Sequence, residues 1–311
     1  MSHFHGYVPY CFYLLILKLF GTFLILSLSL SPSCVSCIIA PKRKSTPSQN
    51  PLRSRASSSS SPSDLIPSHV QFCDEKAKSD FLENFSRRDI HLECQVILSD
   101  FSDTNLPTII HSRGWESLYG VLIMCPSVII QEFYSNIHGF DYSIPQFITH
   151  VGGIRMVVTP DIISEVLHVP KVVHPVYPGC DHLKTVSKDE LASLFYKTPS
   201  SWGKRQNTPC SAFAKGLRFF NMVMTFILHP LSHYNTITES RARFLLSLLE
   251  DISIDFHFHF ILSLINVYKD TTTRGKLIFP LAITRLLCHF SVFYLESPHF
   301  TYLCAINAAT I

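Results

Sequence analysis

The segment 152–170 constrains the fold of this chain more than any other, because it combines three local signals. Gly152-Gly153 separates two apolar runs, and paired glycines supply the positive φ angles of a tight hairpin turn. Residues 156–158 then have the character of a short strand. Thr159-Pro160 follows, with a hydroxyl that can cap a helix and a proline suited to the first helical position. We therefore predict a small hairpin that leads directly into a helix, which ends near Pro170.

The segments around this hairpin indicate helices. Apolar residues recur at a loose helical spacing over residues 81–98, and Ser187-Lys-Asp-Glu190 is a capping box in front of another apolar face. Twenty-four Phe and twelve Tyr against eleven Gly indicate bulky packing. The predicted fold class is mainly α: a single helical domain over residues 79–305 with one small β-hairpin. We expect its buried set to include Trp115, Phe133, Ile163, Leu167, Phe195, Phe220, Phe226, Leu245, Leu248, Leu264 and Leu286.

The first forty residues form a separate hydrophobic zone. Residues 12–30 contain one charge, Lys18, and are long enough for a transmembrane helix or a signal-peptide core. Basic residues follow this stretch and none precedes it, which would place the C-terminal side in the cytoplasm if the segment spans. The alternative is that residues 1–39 are an extension without a targeting role. The expected location is a membrane if residues 12–30 insert, and otherwise the nucleus or the cytoplasm.

Residues 41–78 are predicted to be a disordered linker rich in Ser, Pro and basic residues. Such a composition cannot bury enough apolar surface to offset the entropy of ordering. Lys42, Arg43 and Lys44 form a short basic run that fits a nuclear localisation signal or a nucleic-acid contact, although a solvated linker is the simpler explanation because such short matches are common by chance. Lys204 and Arg205, next to Trp202, are the second candidate contact, since cations beside an aromatic ring can bind nucleic acid.

The sequence contains no motif that identifies a reaction. Phosphate-binding loops, the Gly-x-Gly-x-x-Gly turn and the Gly-x-Ser-x-Gly nucleophile elbow do not occur. His91-Leu-Glu93 matches the His-x-Glu of zinc deaminases, but the Pro-Cys-x-x-Cys that should follow is missing. His257 and His259 would diverge on a helix and so would not share a metal ion. We therefore predict no catalytic residue, no metal ligand and no cofactor.

Several blocks of the chain resemble a known family. They are residues 84–103, 115–146, 157–170 and 217–290, and the runs 221–234 and 244–250 show the resemblance most clearly. They are similar to the putative plant transposon protein family, the conserved domain of plant retroelement-like reading frames. The resemblance covers residues 42–309 and implies an origin in a mobile element, without transferring catalytic residues. Related frames continue into a hydrophilic region, so the resemblance also implies a truncated C-terminus.

These observations lead to one main functional hypothesis and two alternatives. The main hypothesis is a non-enzymatic, retroelement-derived protein with a structural or self-associating role, similar to a capsid-region protein. The first alternative is a transposase-like nuclease with dispersed carboxylates, because such residues lie far apart in sequence. The second is a membrane-tethered protein, which rests on residues 12–30. The expected partners are another copy of the chain, nucleic acid through the basic linker, and a membrane.

Overall fold

The computed structural model describes residues 66–119, 126–203, 207–211, 213–230, 235–292 and 305–306. About half of these residues are helical. The ten α-helices of the described ranges are Glu75–Glu83 (α1), Leu106–Ser112 (α2), Ser127–Ser135 (α3), Pro160–Leu167 (α4), Asp181–Thr185 (α5), Lys188–Tyr196 (α6), Lys215–Val223 (α7), Glu239–Leu249 (α8), Phe256–Lys269 (α9) and Pro280–His289 (α10). Short 3-10 helices occupy Phe85–Arg87, Leu98–Phe101 and Glu116–Leu118, and a π-helical turn, Met224–Leu228, continues α7.

The strands form three small sheets. They are Gln95–Val96 (β1), His138–Asp141 (β2), Gln146–Val151 (β3), Ile154–Val158 (β4), Asn207–Pro209 (β5), Thr236–Thr238 (β6) and Ala305–Ile306 (β7). The largest sheet is antiparallel, in the order β2-β3-β4. β5 pairs with β6 in antiparallel fashion, and β1 pairs with β7 in parallel.

The local signals around the hairpin are confirmed. Gly152 and Gly153 both have positive φ and join β3 to β4. The Thr159 side chain accepts a hydrogen bond from the amide of Ile162 at the start of α4. The capping box at α6 is complete, because Ser187 and Glu190 each accept the other's backbone amide hydrogen.

The predicted fold class, a mainly α domain with one small β-hairpin, is wrong. The hairpin belongs to a three-stranded sheet, because β2 adds to β3, and two further strand pairs are present. β2 escaped prediction because His138-Gly-Phe-Asp has no β-branched residue and gains its pairing from β3 rather than from local preference. Likewise, residues 81–98 are not one helix: α1 ends at Glu83, and a 3-10 turn and β1 follow.

The predicted core is correct with one exception. Ten of the eleven residues are buried, and Phe226 is partly buried against the same core. Among the described residues, no helix is both long and apolar enough to cross a bilayer. The candidate segment 12–30 and most of the predicted linker lie outside these residues.

Helix α3 covers one face of the main sheet. Side chains alternate along β3, so that Phe147, Thr149 and Val151 are buried while the intervening residues are half-buried. The Thr149 hydroxyl donates to the carbonyl oxygen of Phe133 in α3 at 2.7 Å. The rings of Phe133 and Phe147 meet edge to face with centroids 6.0 Å apart. The opposite face of β3 therefore remains available for polar side chains.

The buried carboxylate of Glu132 joins three segments that are distant in sequence. Its Oε1 accepts hydrogen bonds from the amide of Gln71, at 3.0 Å, and from the amide of Gly152, at 2.8 Å. Glu132 lies in α3 and is fully buried. One side chain thus fixes the arm that precedes α1, here defined as residues 70–73, and the turn between β3 and β4.

We expect Glu132→Ala to lower the free energy of unfolding of the full chain by about 3 kcal/mol, because two partly buried amides lose their acceptor and the buried side chain is removed. Glu132→Gln keeps a carbonyl oxygen at this position and should cost less. Urea denaturation followed by tryptophan fluorescence measures both values. Equal losses for the two substitutions would contradict the role of the shared acceptor.

Candidate functional site: a cavity beside two buried histidines

A cavity of about 390 Å³ lies between α9, the start of α8 and the end of the π turn. This volume is typical of small-molecule sites. Its apolar lining consists of Pro178, Pro230, Phe258, Leu262, Val267 and Ile278. Its polar lining consists of Tyr177, His229, Ser240, Asp255, His259, Ser263 and Asn266. The site thus combines apolar walls with polar groups, as binding pockets do.

The π turn places His229 at the wall of the cavity. The amide of His229 donates to the carbonyl oxygen of Met224 at 2.7 Å, which closes the wider turn. A π turn holds more residues than an α-helical turn and so changes the direction of the chain that follows. The π turn ends at Leu228, and Pro230, which lacks an amide hydrogen, prevents it from continuing.

His229 and His259 approach each other beside Phe244. The two imidazole centroids are 4.8 Å apart, and the Phe244 ring stacks on His259 at 4.8 Å. Nε2 of His259 donates to the carbonyl oxygen of Leu228 at 3.1 Å, which fixes its tautomer. Nδ1 of His229 is buried and has no hydrogen-bond partner among the described residues.

Burial keeps both histidines neutral at physiological pH. Desolvation lowers the pKa of His259 to about 4, against the opposing effect of its bond to Leu228. Desolvation also lowers the pKa of His229, and the neighbouring His259 and Arg241 lower it further. The two rings therefore act as hydrogen-bonding groups rather than as cations.

Asp255 and His257, near the cavity, have structural partners. Asp255 caps α9 by accepting the amide of Phe258 at 2.9 Å. Although burial would raise the pKa of Asp255, hydrogen bonds from His257 and from the Phe258 amide lower it. His257 uses its other nitrogen to bond the carbonyl oxygen of Val169 at 3.1 Å. His257 and His259 thus diverge to different partners, as their helical spacing predicts.

Arg241 places a cation deep in the structure near this cavity. The residue is fully buried, and it donates from Nη2 to the hydroxyl of Thr225. In the part of the chain that the structure describes, its Nε and Nη1 have no hydrogen-bond partner, and burial lowers its pKa to about 10. The arginine gives the interior beside His229 a positive potential, which favours the neutral form of that ring.

None of the site residues predicted from sequence can be placed. Lys42, Arg43, Lys44, Lys204 and Arg205 all lie outside the described residues.

The His-x-Glu pair does not form a common site. His91 stacks on Phe226, whereas Glu93 accepts the amide of Leu281 at 2.7 Å. Burial raises the pKa of Glu93 to about 8.

Sequence reasoning missed the meeting of His229 with His259. The two residues are separated by thirty positions, and a π turn brings them together. Neither the spacing of apolar residues nor a short motif identifies such a turn. Sequence reasoning also missed a second group of ligating side chains, Cys73 in the arm, His138 in β2 and His150 in β3, because their meeting depends on the pairing of segments that are distant in sequence.

Residues 111–292, more than half of the chain, match the family model described as "Putative plant retrotransposon-related domain". The chain belongs to this family. The resemblance to plant retroelement-derived proteins is therefore confirmed, over a shorter range than the sequence blocks suggested. The retrotransposon-related domain contains every residue that lines the cavity. A comparison with curated proteins and one with solved structures found no match.

The buried histidines should make this domain sensitive to acid. The pKa of His259 is about 4 in the fold against an ordinary 6.5, so the unfolded chain binds more protons between these values. The contribution of His259 to stability is complete above pH 6.5 and is lost as pH falls towards 4. We expect about 3 kcal/mol of such loss. In His259→Gln this part of the pH dependence should vanish, while the amide can still donate to Leu228.

Urea denaturation of the full chain at several pH values between 4 and 7 tests this expectation. The control is His182→Gln, which replaces an exposed histidine and should keep the pH dependence of the original chain. The same slope in His259→Gln as in the original chain would contradict the expectation.

Proposed function

We propose that this retrotransposon-related domain is a non-enzymatic binding protein whose cavity holds a small, mostly apolar molecule. The observation that carries the proposal is the cavity itself, which is lined by six apolar and seven polar residues. A preformed apolar pocket with a few hydrogen-bonding groups favours binding, because the walls contribute burial and the polar groups orient the ligand.

The state of the polar groups favours binding over catalysis. A general acid or base works best when its pKa lies near the working pH. The pKa of His259 is about 4, and one of its nitrogens is committed to a backbone carbonyl. Asp255 is engaged as a helix cap and by His257. These groups are therefore suited to orienting a ligand, and less suited to moving protons at neutral pH.

The transposase-like alternative needs carboxylates that share a cation. In the part of the chain that the structure describes, the one group of three clustered ligating side chains contains Cys and His and no carboxylate. No observation here favours the nuclease, and metal-dependent cleavage of DNA by the full chain remains its direct test.

Filling the cavity should abolish ligand binding. Ser263 lines the cavity, and its hydroxyl donates to the carbonyl oxygen of His259 within α9. Ser263→Leu adds an apolar side chain there, and leucine is a good helix former. The probe is N-phenyl-1-naphthylamine, a neutral dye that fluoresces in apolar surroundings. We expect saturable binding to the full chain, weakened at least about tenfold by Ser263→Leu, which corresponds to about 1.4 kcal/mol.

The matched control is Ser79→Leu, which makes the same change on the exposed side of α1 and should leave binding unchanged. No saturable binding to the original chain, or equal affinity in Ser263→Leu, would contradict the proposal. Circular dichroism of each variant confirms that the fold is retained.

A second candidate function is self-association, which the main sequence hypothesis expects. The observation that favours it is a pair of exposed valines, Val173 and Val176, in the loop between α4 and α5; Val173 is 84% exposed. The two valines are three positions apart in sequence, and contiguous exposed apolar surface is typical of interaction sites. The proposed partner for this loop is a second copy of the chain.

Multi-angle light scattering of the full chain tests this candidate. We expect a dimer or larger assembly, and a lower mass for the double variant Val173→Ser, Val176→Ser, because the apolar contact is lost. Leu194→Ser is the control, since it removes an exposed apolar side chain from α6. A monomeric original chain, or equal masses for all three proteins, would contradict the role of the loop. Nucleic-acid contact and membrane insertion remain predictions from residues outside the described part.

A further inference from the structure

The sheet brings two histidines together on its half-buried face. His138 in β2 lies opposite Ile148 in β3, and His150 follows two residues later. Residues two apart on a strand point to the same side, so both imidazoles share one face. The rings stack with centroids 5.1 Å apart and an angle of 8° between their planes. Strand register, rather than proximity in sequence, creates this pair.

The arm adds a thiol to the same place. The amide of Cys73 donates to Oδ1 of Asn136 at 2.8 Å, and Nδ2 of Asn136 donates to the carbonyl oxygen of Gln71 at 2.9 Å. These two bonds, with the bond from Gln71 to Glu132, attach the arm to the end of α3. Sγ of Cys73 consequently lies 4.0 Å from Nδ1 of His138. This Nδ1 donates to the carbonyl oxygen of Asn136 at 2.9 Å, so Nε2 carries the lone pair of His138 unless a metal ion replaces that hydrogen bond.

The three potential ligand atoms are close to the spacing that a transition metal requires. One ligand atom from each of Cys73, His138 and His150 lies within 4.8 Å of the others. Zinc bonds of about 2.3 Å to sulfur and about 2.0 Å to nitrogen place tetrahedral ligands roughly 3.3–3.6 Å apart. To close the group around one ion, the two imidazoles have to rotate out of their stacked arrangement, and His138 has to give up its bond to Asn136 if Nδ1 is the ligand.

The chemistry of the group selects a particular class of ion. One thiolate and two imidazoles suit zinc and similar transition metals, whereas magnesium and calcium prefer oxygen ligands. His150 makes no side-chain hydrogen bond among the described residues, and its Nδ1 is buried without a partner. Its tautomer is thus unconstrained, and either nitrogen can present a lone pair. Cys73 is exposed, which gives the ion a path of entry.

One neighbouring charge opposes the binding of a cation to this group, and another favours it. Arg155 lies opposite His150 in β4, and its positive charge opposes a dication. Asp74, directly after Cys73, supplies a negative charge. Arg155 is exposed, so solvent screens its charge and its long side chain can move away.

We propose that Cys73, His138 and His150 bind one zinc ion, with water in the fourth position. On binding, the thiol of Cys73 releases its proton and the sulfur forms a bond to zinc. The ion then links the arm to β2 and β3, in addition to the hydrogen bonds through Glu132 and Asn136. This site uses different elements from the cavity, so it does not depend on the proposed ligand-binding function.

Cobalt spectroscopy of the full chain tests the proposal. Tetrahedral cobalt bound to a thiolate shows visible d–d bands and a near-ultraviolet sulfur-to-metal charge-transfer band. We expect both with a stoichiometry of one ion per chain after removal of metal with a chelator, and their displacement by zinc. Cys73→Ser should abolish the charge-transfer band, and His138→Gln or His150→Gln should weaken cobalt binding at least tenfold. Zinc should also raise the melting temperature of the original chain and leave that of Cys73→Ser unchanged.

Matched variants exclude other thiols and histidines. Cys288→Ser replaces another exposed cysteine, and His182→Gln replaces an exposed histidine; both should retain the full spectrum. The double variant Cys34→Ser, Cys37→Ser tests the remaining pair with zinc-like spacing and should also retain it. A charge-transfer band that persists in Cys73→Ser, or that disappears only in the Cys34 and Cys37 variant, would overturn the proposal. Absence of any cobalt–thiolate band in the original chain would overturn it as well.

Discussion

The carboxylate of Glu132 is the interaction on which the sheet side of this structure depends. A buried charged or polar group is tolerated only when hydrogen bonds replace those it made with water. Glu132 meets this condition by accepting amides from Gln71 and Gly152, which belong to the arm and to the β3–β4 turn. Asn136, one helical turn later, continues the same attachment to the arm. The position of Cys73 beside His138 is therefore a consequence of these side-chain bonds and not of secondary structure in the arm.

Buried polar residues among the helices are also held by hydrogen bonds to distant segments. His257 and His259 lie two positions apart on α9, and each donates to a backbone carbonyl of another segment, Val169 and Leu228 respectively. Such bonds satisfy carbonyl groups that helices and loops would otherwise leave unpaired in the interior. Desolvation keeps His259 neutral, which suits this structural role. The cavity beside it is consequently lined by groups whose protonation does not change at neutral pH.

The sequence predicted those features whose causes are local. The cap at Thr159, the capping box at Ser187 and the Gly152-Gly153 turn each depend on a few neighbouring residues, and all three are present. β2 and the group of Cys73, His138 and His150 depend on strand register and on bonds from α3, which neither periodicity nor spacing reveals. The His229–His259 contact depends on a π turn, which periodicity and spacing do not reveal either. The sequence-based prediction therefore differs from the structure partly because segments with weak local preferences pair through tertiary contacts.

The region matched by the family model contains the whole cavity but only part of the proposed zinc site. All residues of the cavity lie within residues 111–292, so a ligand-binding role would belong to the retrotransposon-related domain itself. Of the three proposed zinc ligands, His138 and His150 lie inside this range, but Cys73 lies before it. Two imidazoles alone form a weaker and less selective zinc site than two imidazoles with a thiolate. Zinc binding would thus require the arm as well as the domain, and the bonds from Glu132 and Asn136 are what bring the two together.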